Sequence, residues 1–159
     1  AWSELEFEIT ESVLVKDFDF ATGQLQQLRD AGATVAIDDF GTGYSSLAYL
    51  TRLPTDTIKI DRAFSRRLHE PETQAVVLSI IALGRALNKT VVAEGVETLE
   101  DVELLSTWGC YIIQGYVYSK PLTAAIMTEV LRGKALRPTT SDASLGNSHN
   151  SDVHLSSEH

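Results

Sequence analysis

The sequence contains few of the residues that crosslink a chain or bind zinc. Cys110 is the one cysteine among 159 residues, so an intrachain disulfide is excluded and a reducing compartment such as the cytoplasm is favoured. Of the four histidines, three lie at positions 149, 154 and 159, within a stretch that has almost no apolar residues. A zinc site built from histidines is therefore not expected in the folded part of the chain.

Basic residues are also scarce. The chain has 13 Lys and Arg against 22 Asp and Glu, which gives a formal net charge of -9. This balance argues against binding to long nucleic acid or to an anionic membrane surface, since both require a basic stripe. A small anionic ligand remains compatible with it, provided that metal ions offset the local charge.

Long apolar runs are missing as well. None approaches the ~20 residues of a membrane span, and no signal peptide is present, so we expect no membrane contact from this segment. The chain begins Ala-Trp-Ser and enters a strand pattern almost at once. We therefore expect a piece of a longer cytoplasmic protein, with any membrane anchor lying upstream.

What the sequence does contain is a regular alternation of strand and helix patterns with short linkers. The predicted strands are LEFEIT, TVAIDD, DTIKID, TVVAEGV and YIIQGYVYS. The predicted helices are a stretch around Leu25 and Leu28 that ends at Gly32, then SSLAYLTRL, 72–87, 99–108 and 123–131. Such alternation implies an α/β fold of parallel strands with right-handed crossovers, either an open doubly wound sheet or part of a barrel. Residues 1–136 form the predicted body, and 137–159 a disordered polar tail.

Polar side chains recur at the carboxyl ends of the predicted strands. This is the edge at which parallel α/β folds bind their ligands, because the loops converge there. Any one of these residues by itself is best explained as a solvated cap, but the recurrence on five successive strands indicates a site. The set comprises Glu8, Glu11, Asp38, Asp39, Lys59, Asp61, Glu94, Glu97 and Gln114.

Carboxylates with one amide are hard oxygen ligands, which suit Mg²⁺ or Mn²⁺ better than zinc. Two such ions ~4 Å apart can activate a water and stabilise the leaving oxygen in phosphodiester cleavage, and a nearby lysine could hold that water. Asp38 and Asp39 point to opposite sides of a regular strand. Both can therefore serve one metal site only if the backbone turns there.

Four motifs, in order and spacing, resemble the EAL-domain cyclic di-GMP phosphodiesterases. They are FEITES, DDFGTGYSSLAYLTRLPTDTIKIDRAF, VVAEGVET and QGYVYSKPL, and the resemblance extends from Leu5 to about Leu131. It implies a TIM-type (β/α)₈ barrel that hydrolyses cyclic di-GMP to linear pGpG with two Mg²⁺ or Mn²⁺ ions.

The resemblance also implies roles for individual residues. Three residues match positions that bind metal in the family, namely Glu8, Asp38 and Glu94. Asp39 resembles a ligand of the second metal, and Lys59 resembles the lysine that holds the catalytic water. The catalytic set is then Lys59, Glu94 and Asp39. Asp61, Glu97 and Gln114 match positions that line or support the site. Glu11 resembles the glutamate that anchors the loop 40–47, which couples metal binding to dimer contacts in the family, so a homodimer is expected for the intact protein.

The chain departs from the family at its start. The Glu-Ala-Leu motif, its nearby phosphate-binding Arg and an Asn ligand all belong to earlier strands that this sequence does not contain. We therefore expect the C-terminal portion of the domain, an incomplete barrel of about five β/α units, with no hydrolysis by this chain alone. The alternatives are a non-catalytic cyclic di-GMP receptor and, from outside the family, an unrelated metal-dependent barrel enzyme.

Overall fold

A computed structural model describes residues 1–10, 17–43 and 50–133 and contains one sheet of five parallel strands. The strands pair in the order β1-β2-β3-β4-β5, so each lies beside the next one along the chain. A doubly wound sheet reverses its strand order at a switch point, whereas a barrel adds each strand beside the last. The sheet therefore follows the barrel order. Its strands are β1 Glu6–Thr10, β2 Thr34–Phe40, β3 Thr57–Ile60, β4 Thr90–Glu94 and β5 Ile112–Gln114.

Four of the helices in the described residues begin at side-chain caps, whereas the helix that begins at Pro71 has none. The carboxylates of Asp17 and Asp61 and the hydroxyls of Thr98 and Thr123 accept hydrogen bonds from backbone amides of the first turns. None of the described helices is long and apolar enough to cross a lipid bilayer. The helices are α1 Phe18–Asp30, α2 Arg62–Ser65, α3 Pro71–Ala86, α4 Leu99–Thr107 and α5 Ala124–Leu131, and a 3₁₀ turn at Trp2–Glu4 precedes β1.

The period-two pattern of the strands separates an apolar face from a polar one. Residues of the apolar face pack beneath the helices, where Leu25 of α1, Ile80 of α3 and Leu105 of α4 are also buried. The strand residues of this core are Ile9, Val35, Ile37, Ile58, Ile60, Val91, Ala93 and Ile113. The alternate residues of the strands point to the opposite face of the sheet and carry its charged groups, which are Glu6, Glu8, Asp38, Lys59 and Glu94. The core thus lies on one side of the sheet and leaves the other side for a site.

Three elements differ from the sequence-based expectation, and one of them is the fourth strand, which is predicted over 90–96 and ends at Glu94. The fifth strand was predicted over 111–119 but ends at Gln114, because the chain turns at Gly115 to lie against the backbone of Val96. The amide of Val117 then donates to the carbonyl of Val96 at 3.1 Å instead of extending the ladder. The four-residue helix α2 was not predicted, since so short a segment shows no periodicity.

Some predicted features lie outside the described residues. The tail 137–159 and Glu11 do so entirely. The helix predicted at 45–53 does so as far as residue 49. These predictions therefore stay predictions.

Candidate active site

The polar face of the sheet places Lys59 at the centre of three carboxylates from three other strands. Its Nζ lies 2.5 Å from Oε1 of Glu8 on β1, 2.5 Å from Oε1 of Glu94 on β4 and 3.4 Å from Oδ1 of Asp38 on β2. The side chain of Lys59 is only 5 % exposed, while that of Glu8 is 47 % exposed. Lys59 is thus a buried cation held by an acidic ring that opens to solvent on the β1 side.

This surrounding decides the charge of the lysine. Burial by itself lowers the pKa of Lys59, but the hydrogen bonds to Glu8 and Glu94 and the charge of Asp38 outweigh burial and raise the pKa of Lys59 above the ordinary lysine value. The amine is therefore an ammonium at neutral pH. It can donate hydrogen bonds but cannot take a proton.

A bulge at the end of β2 brings the neighbouring aspartates together. Ile37 pairs with Ile58 and Phe40 with Ile60, so three steps on β2 match two on β3. Asp39 takes up the extra residue with a φ of +53°. Phe40 returns to the apolar face and is buried, and Asp39 joins Asp38 instead of entering the core.

Asp38, Asp39 and Glu94 form a compact acidic group. One carboxylate oxygen from each lies within 4.8 Å of the others. Asp38 Oδ1 is buried and accepts no hydrogen bond from the described part of the chain, although the Lys59 ammonium forms an ion pair with it at 3.4 Å. Glu8 is bound to Lys59 and does not join this group of three. A buried oxygen that lacks a hydrogen bond and lies beside two further carboxylates fits a divalent cation, whose charge would offset all three.

Asp61 connects this acidic group to helix α2. Its carboxylate accepts from the amide of Ala63 at 2.6 Å and so caps the helix directly after β3. A hydrogen bond between Asp61 and Asp39, then burial, then the negative charges of Asp38, Asp61 and Glu94 raise the pKa of Asp39. These carboxylates lie close enough to repel one another, and a bound cation would relieve that repulsion.

Next to Glu94 lies an open cleft of about 640 Å³. Glu97 and Gln114, both predicted from the sequence, line it, and Glu97 lies 3.8 Å from the guanidinium of Arg66. The cleft also has lining residues that sequence reasoning missed, namely Arg62, Arg66, Tyr116, Tyr118 and Lys120. Their place in the sequence could have identified them, because they follow β3 and β5 directly and so lie at the same carboxyl edge of the sheet. The cleft thus combines cationic and aromatic side chains beside the acidic group.

Comparison with known proteins gives the family. The family model of the EAL domain matches residues 2–121. The bifunctional diguanylate cyclase/cyclic di-GMP phosphodiesterase MucR of Pseudomonas aeruginosa is 48% identical over 123 residues, which are 77% of this chain and 18% of MucR. The cyclic di-GMP phosphodiesterase NbdA of the same organism is 44% identical over 129 residues, 80% of this chain and 16% of NbdA. The chain therefore spans about a fifth of the length of the curated relatives it matches.

Solved structures agree with this comparison. The PaMucR phosphodiesterase in complex with c-di-GMP superposes with a TM-score of 0.76 at 47% identity, over 79% of this chain and 51% of that one. Klebsiella pneumoniae BlrP1 with manganese and cyclic di-GMP gives a TM-score of 0.71 at 42% identity, over 76% of this chain and 31% of that one. These likenesses confirm the predicted TIM-type α/β fold, of which the described residues form a sheet of five parallel strands. Since the family model covers well over half of the sequence, the chain belongs to the EAL domain family.

Proposed function

We propose that this chain supplies the metal-binding and water-positioning part of a cyclic di-GMP phosphodiesterase that produces linear pGpG. One observation carries the proposal. Asp38 Oδ1 is buried without a hydrogen-bond partner among the described residues, and carboxylate oxygens of Asp39 and Glu94 lie within 4.8 Å of it and of each other. The Lys59 ammonium is shared among three carboxylates and leaves this oxygen without a hydrogen bond, and a bound cation would supply the missing partner.

The residues that would hold two divalent cations, Mg²⁺ or Mn²⁺, are Asp38, Asp39 and Glu94, together with Glu8. All four offer carboxylate oxygens, the ligands that both ions prefer. When bound, such ions lower the pKa of a coordinated water and stabilise the leaving oxygen of a phosphodiester. The cyclic di-GMP complexes of PaMucR and of manganese-containing BlrP1 support this choice of substrate and of metal chemistry.

Lys59 has a separate task in the proposal. Its ammonium contacts Glu8 and Glu94, so it lies among the carboxylates that would bind the metals. As a fixed donor it would orient the attacking water or a phosphate oxygen, while the carboxylates hold the metal ions. Asp61 would keep the start of α2 in place through the hydrogen bond that its carboxylate accepts from the amide of Ala63.

The cleft accounts for the remainder of the substrate. Cyclic di-GMP carries two phosphates and two guanine bases, and the cleft presents Arg62, Arg66 and Lys120 beside its acidic end. Cations suit phosphate and base edges, and tyrosine faces suit bases. Glu97 and Gln114 line the same cleft and would support the bound ligand. A cytoplasmic location and a homodimer belong to the same proposal.

The test is conversion of cyclic di-GMP to pGpG by the gene product that carries this sequence, followed by chromatography with Mg²⁺ or Mn²⁺ present. We expect turnover, and a loss of about 10²–10³-fold or more in Glu94→Gln and in Asp38→Asn, because both remove a charge that acts in the transition state. Glu100→Gln, an exposed carboxylate on α4, is the control and should retain full activity.

Two results would contradict the proposal in different ways. Binding of cyclic di-GMP without turnover by the unsubstituted protein would assign the chain to a receptor. An absence of both binding and turnover would overturn the ligand as well.

A further inference from the structure

A second cavity lies at the amino end of the sheet, opposite the acidic group. This amino-end cavity measures about 410 Å³, and its lining includes Arg85, Asn88, Lys89, Thr90, Tyr111 and Ile112. Thr90 begins β4 and Glu94 ends it, so the two lie about 13 Å apart along the strand. The amino-end cavity is therefore separate from the candidate active site, and its volume is in the range of small-molecule sites.

The lining of this cavity is cationic, although the whole chain has a formal net charge of -9. Arg85 is at the end of α3, and Lys89 lies in the turn before β4. Among the described residues, no Asp or Glu lines the cavity. Two cations without a carboxylate, in a chain rich in carboxylates, favour an anionic ligand.

Arg85 has no acidic partner in the described part of the chain. Its guanidinium lies against Gly109, where a Cβ would be 2.6 Å from Nη2, and Gly109 has a φ of +89°. The place of the guanidinium thus depends on a residue that has no side chain. A guanidinium presents a planar fork of donors that fits the oxygens of a phosphate. The arginines that do form ion pairs in the described residues are Arg29, Arg52, Arg66, Arg67 and Arg132.

Lys89 contributes charge to the cavity and not hydrogen bonds. Its three donors are used by the Thr55 carbonyl at 2.5 Å, the Thr55 hydroxyl at 2.8 Å and the Leu53 carbonyl at 3.4 Å. Asp56 acts on Lys89 by its charge, but its carboxylate is already paired with Arg29 at 2.8 Å. Burial lowers the pKa of Lys89, so an anion in the cavity would favour its charged form.

Tyr111 adds an aromatic ring to the same cavity. Its side chain is 76% exposed, and it directly precedes β5. Every nucleobase has a π-face that can stack on such a ring. A ligand with a phosphate for Arg85 and a flat ring for Tyr111 is a nucleotide.

We propose that the amino-end cavity binds a nucleoside monophosphate. Arg85 holds the phosphate beside the charge of Lys89, and Tyr111 stacks on the base. Stacking reads no hydrogen-bonding edge, so the site accepts adenine and guanine alike. This inference does not depend on the proposed function, because none of its residues belongs to the candidate active site.

The experiment measures the dissociation constants of AMP, GMP and inorganic phosphate by calorimetry on the gene product that carries this sequence. EDTA is present, so that the carboxylates of the candidate active site hold no divalent ion. AMP and GMP should bind with similar affinity, and inorganic phosphate more weakly because it lacks the base.

Two variants test the two contacts. Arg85→Met should weaken AMP binding about 10- to 150-fold, because it removes a charged donor to the phosphate. Tyr111→Leu should weaken AMP binding about 5- to 150-fold and leave inorganic phosphate unchanged. Both residues are exposed, so neither substitution removes core packing. Arg66→Met is the matched control, since Arg66 lines the other cleft, and it should leave AMP binding unchanged.

Four results would overturn the proposal. The first is an absence of AMP binding, and the second is an unchanged affinity for AMP in Arg85→Met. A loss in Arg66→Met that Arg85→Met does not show would assign the nucleotide to the cleft beside the acidic group. An unchanged affinity for AMP in Tyr111→Leu, or an equal loss of AMP and inorganic phosphate, would exclude stacking and with it a nucleotide ligand.

Discussion

Replacement of Lys59 by methionine tests whether the acidic ring is held together as the structure indicates. Methionine keeps the length and apolar stem of the side chain and removes the ammonium. The carboxylates of Glu8, Asp38 and Glu94 would then face one another with no cation among them. We therefore expect Lys59→Met to lower the free energy of unfolding in the absence of divalent metal.

The magnitude follows from the exposure of the partners. Removal of one member of a buried ion pair typically costs 3–5 kcal/mol, because it leaves an uncompensated charge. Lys59 is 5 % exposed and Glu94 16 %, but Glu8 is 47 % exposed, so water screens part of the repulsion. We expect a loss of about 3 kcal/mol, at the lower end of that range.

The pH of the measurement also follows from the structure. The folded state raises the pKa of Lys59 above its ordinary value of 10.5. The stabilisation is then fully present below the ordinary value and is lost only as the pH rises through the folded one. Urea denaturation near pH 7.5 samples the full effect.

Lys89→Met is the matched control. The Lys89 ammonium donates to the carbonyl of Thr55 at 2.5 Å and to its hydroxyl at 2.8 Å, with no carboxylate in contact among the described residues. Its loss should cost about 1–3 kcal/mol. Both variants keep the carboxylates, so Mn²⁺ at a hundred times its dissociation constant should stabilise each by about 2.7 kcal/mol. The variants should differ in Mn²⁺ affinity, because Lys59→Met removes the ammonium that competes for the same carboxylates, whereas Lys89→Met leaves it in place. An equal Mn²⁺ affinity of the two variants, or a negligible loss of stability in Lys59→Met, would refute the acidic ring.

Two further predictions concern the fold. Gly115→Ala should lower the free energy of unfolding by about 1–3 kcal/mol, because the added Cβ meets the backbone of Val96, which cannot move aside. At Gly23 in α1 an added Cβ meets nothing within 4 Å, so Gly23→Ala should raise the free energy of unfolding by about 0.5–1 kcal/mol. Equal urea midpoints for the two variants would contradict the close approach at Gly115. Cys110 is 1% exposed and burial raises the pKa of its thiol, so an aromatic disulfide reagent should label it only as fast as the protein unfolds. Rapid labelling in native buffer would show that this part of the core is open.

The parallel sheet and its polar edge could be predicted because both depend on local pattern. Alternation in FEI and in TVAID assigns each residue to a face, and parallel pairing brings the carboxyl ends to one edge. Lys59 and Glu94 lie on adjacent strands with the parity that the pattern gives them. Their contact follows from strand order alone.

The end of β5 could not be predicted in this way. Val117 and Tyr118 favour strand by propensity, yet the amide of Val117 bonds to Val96, 21 positions earlier, and the ladder stops. Only a tertiary contact distinguishes this turn from a longer strand. The position of Tyr116 at the cleft depends on that turn, which is why sequence reasoning missed it.

The bulge at Asp39 lies between these two cases. The sequence states a condition, namely that two successive aspartates can share one site only where the backbone turns, but it does not say whether the turn occurs. A non-glycine residue at positive φ costs about 1–3 kcal/mol, and the gain from burying Phe40 on the apolar face offsets it. In a straight strand, Asp39 would follow Val35 and Ile37 onto the apolar face, and its carboxylate would enter the core. Phe40 would then lie on the polar face. The strain thus keeps two charges on the polar side of the sheet, which is a reason to read it as a feature of the site and not of the strand.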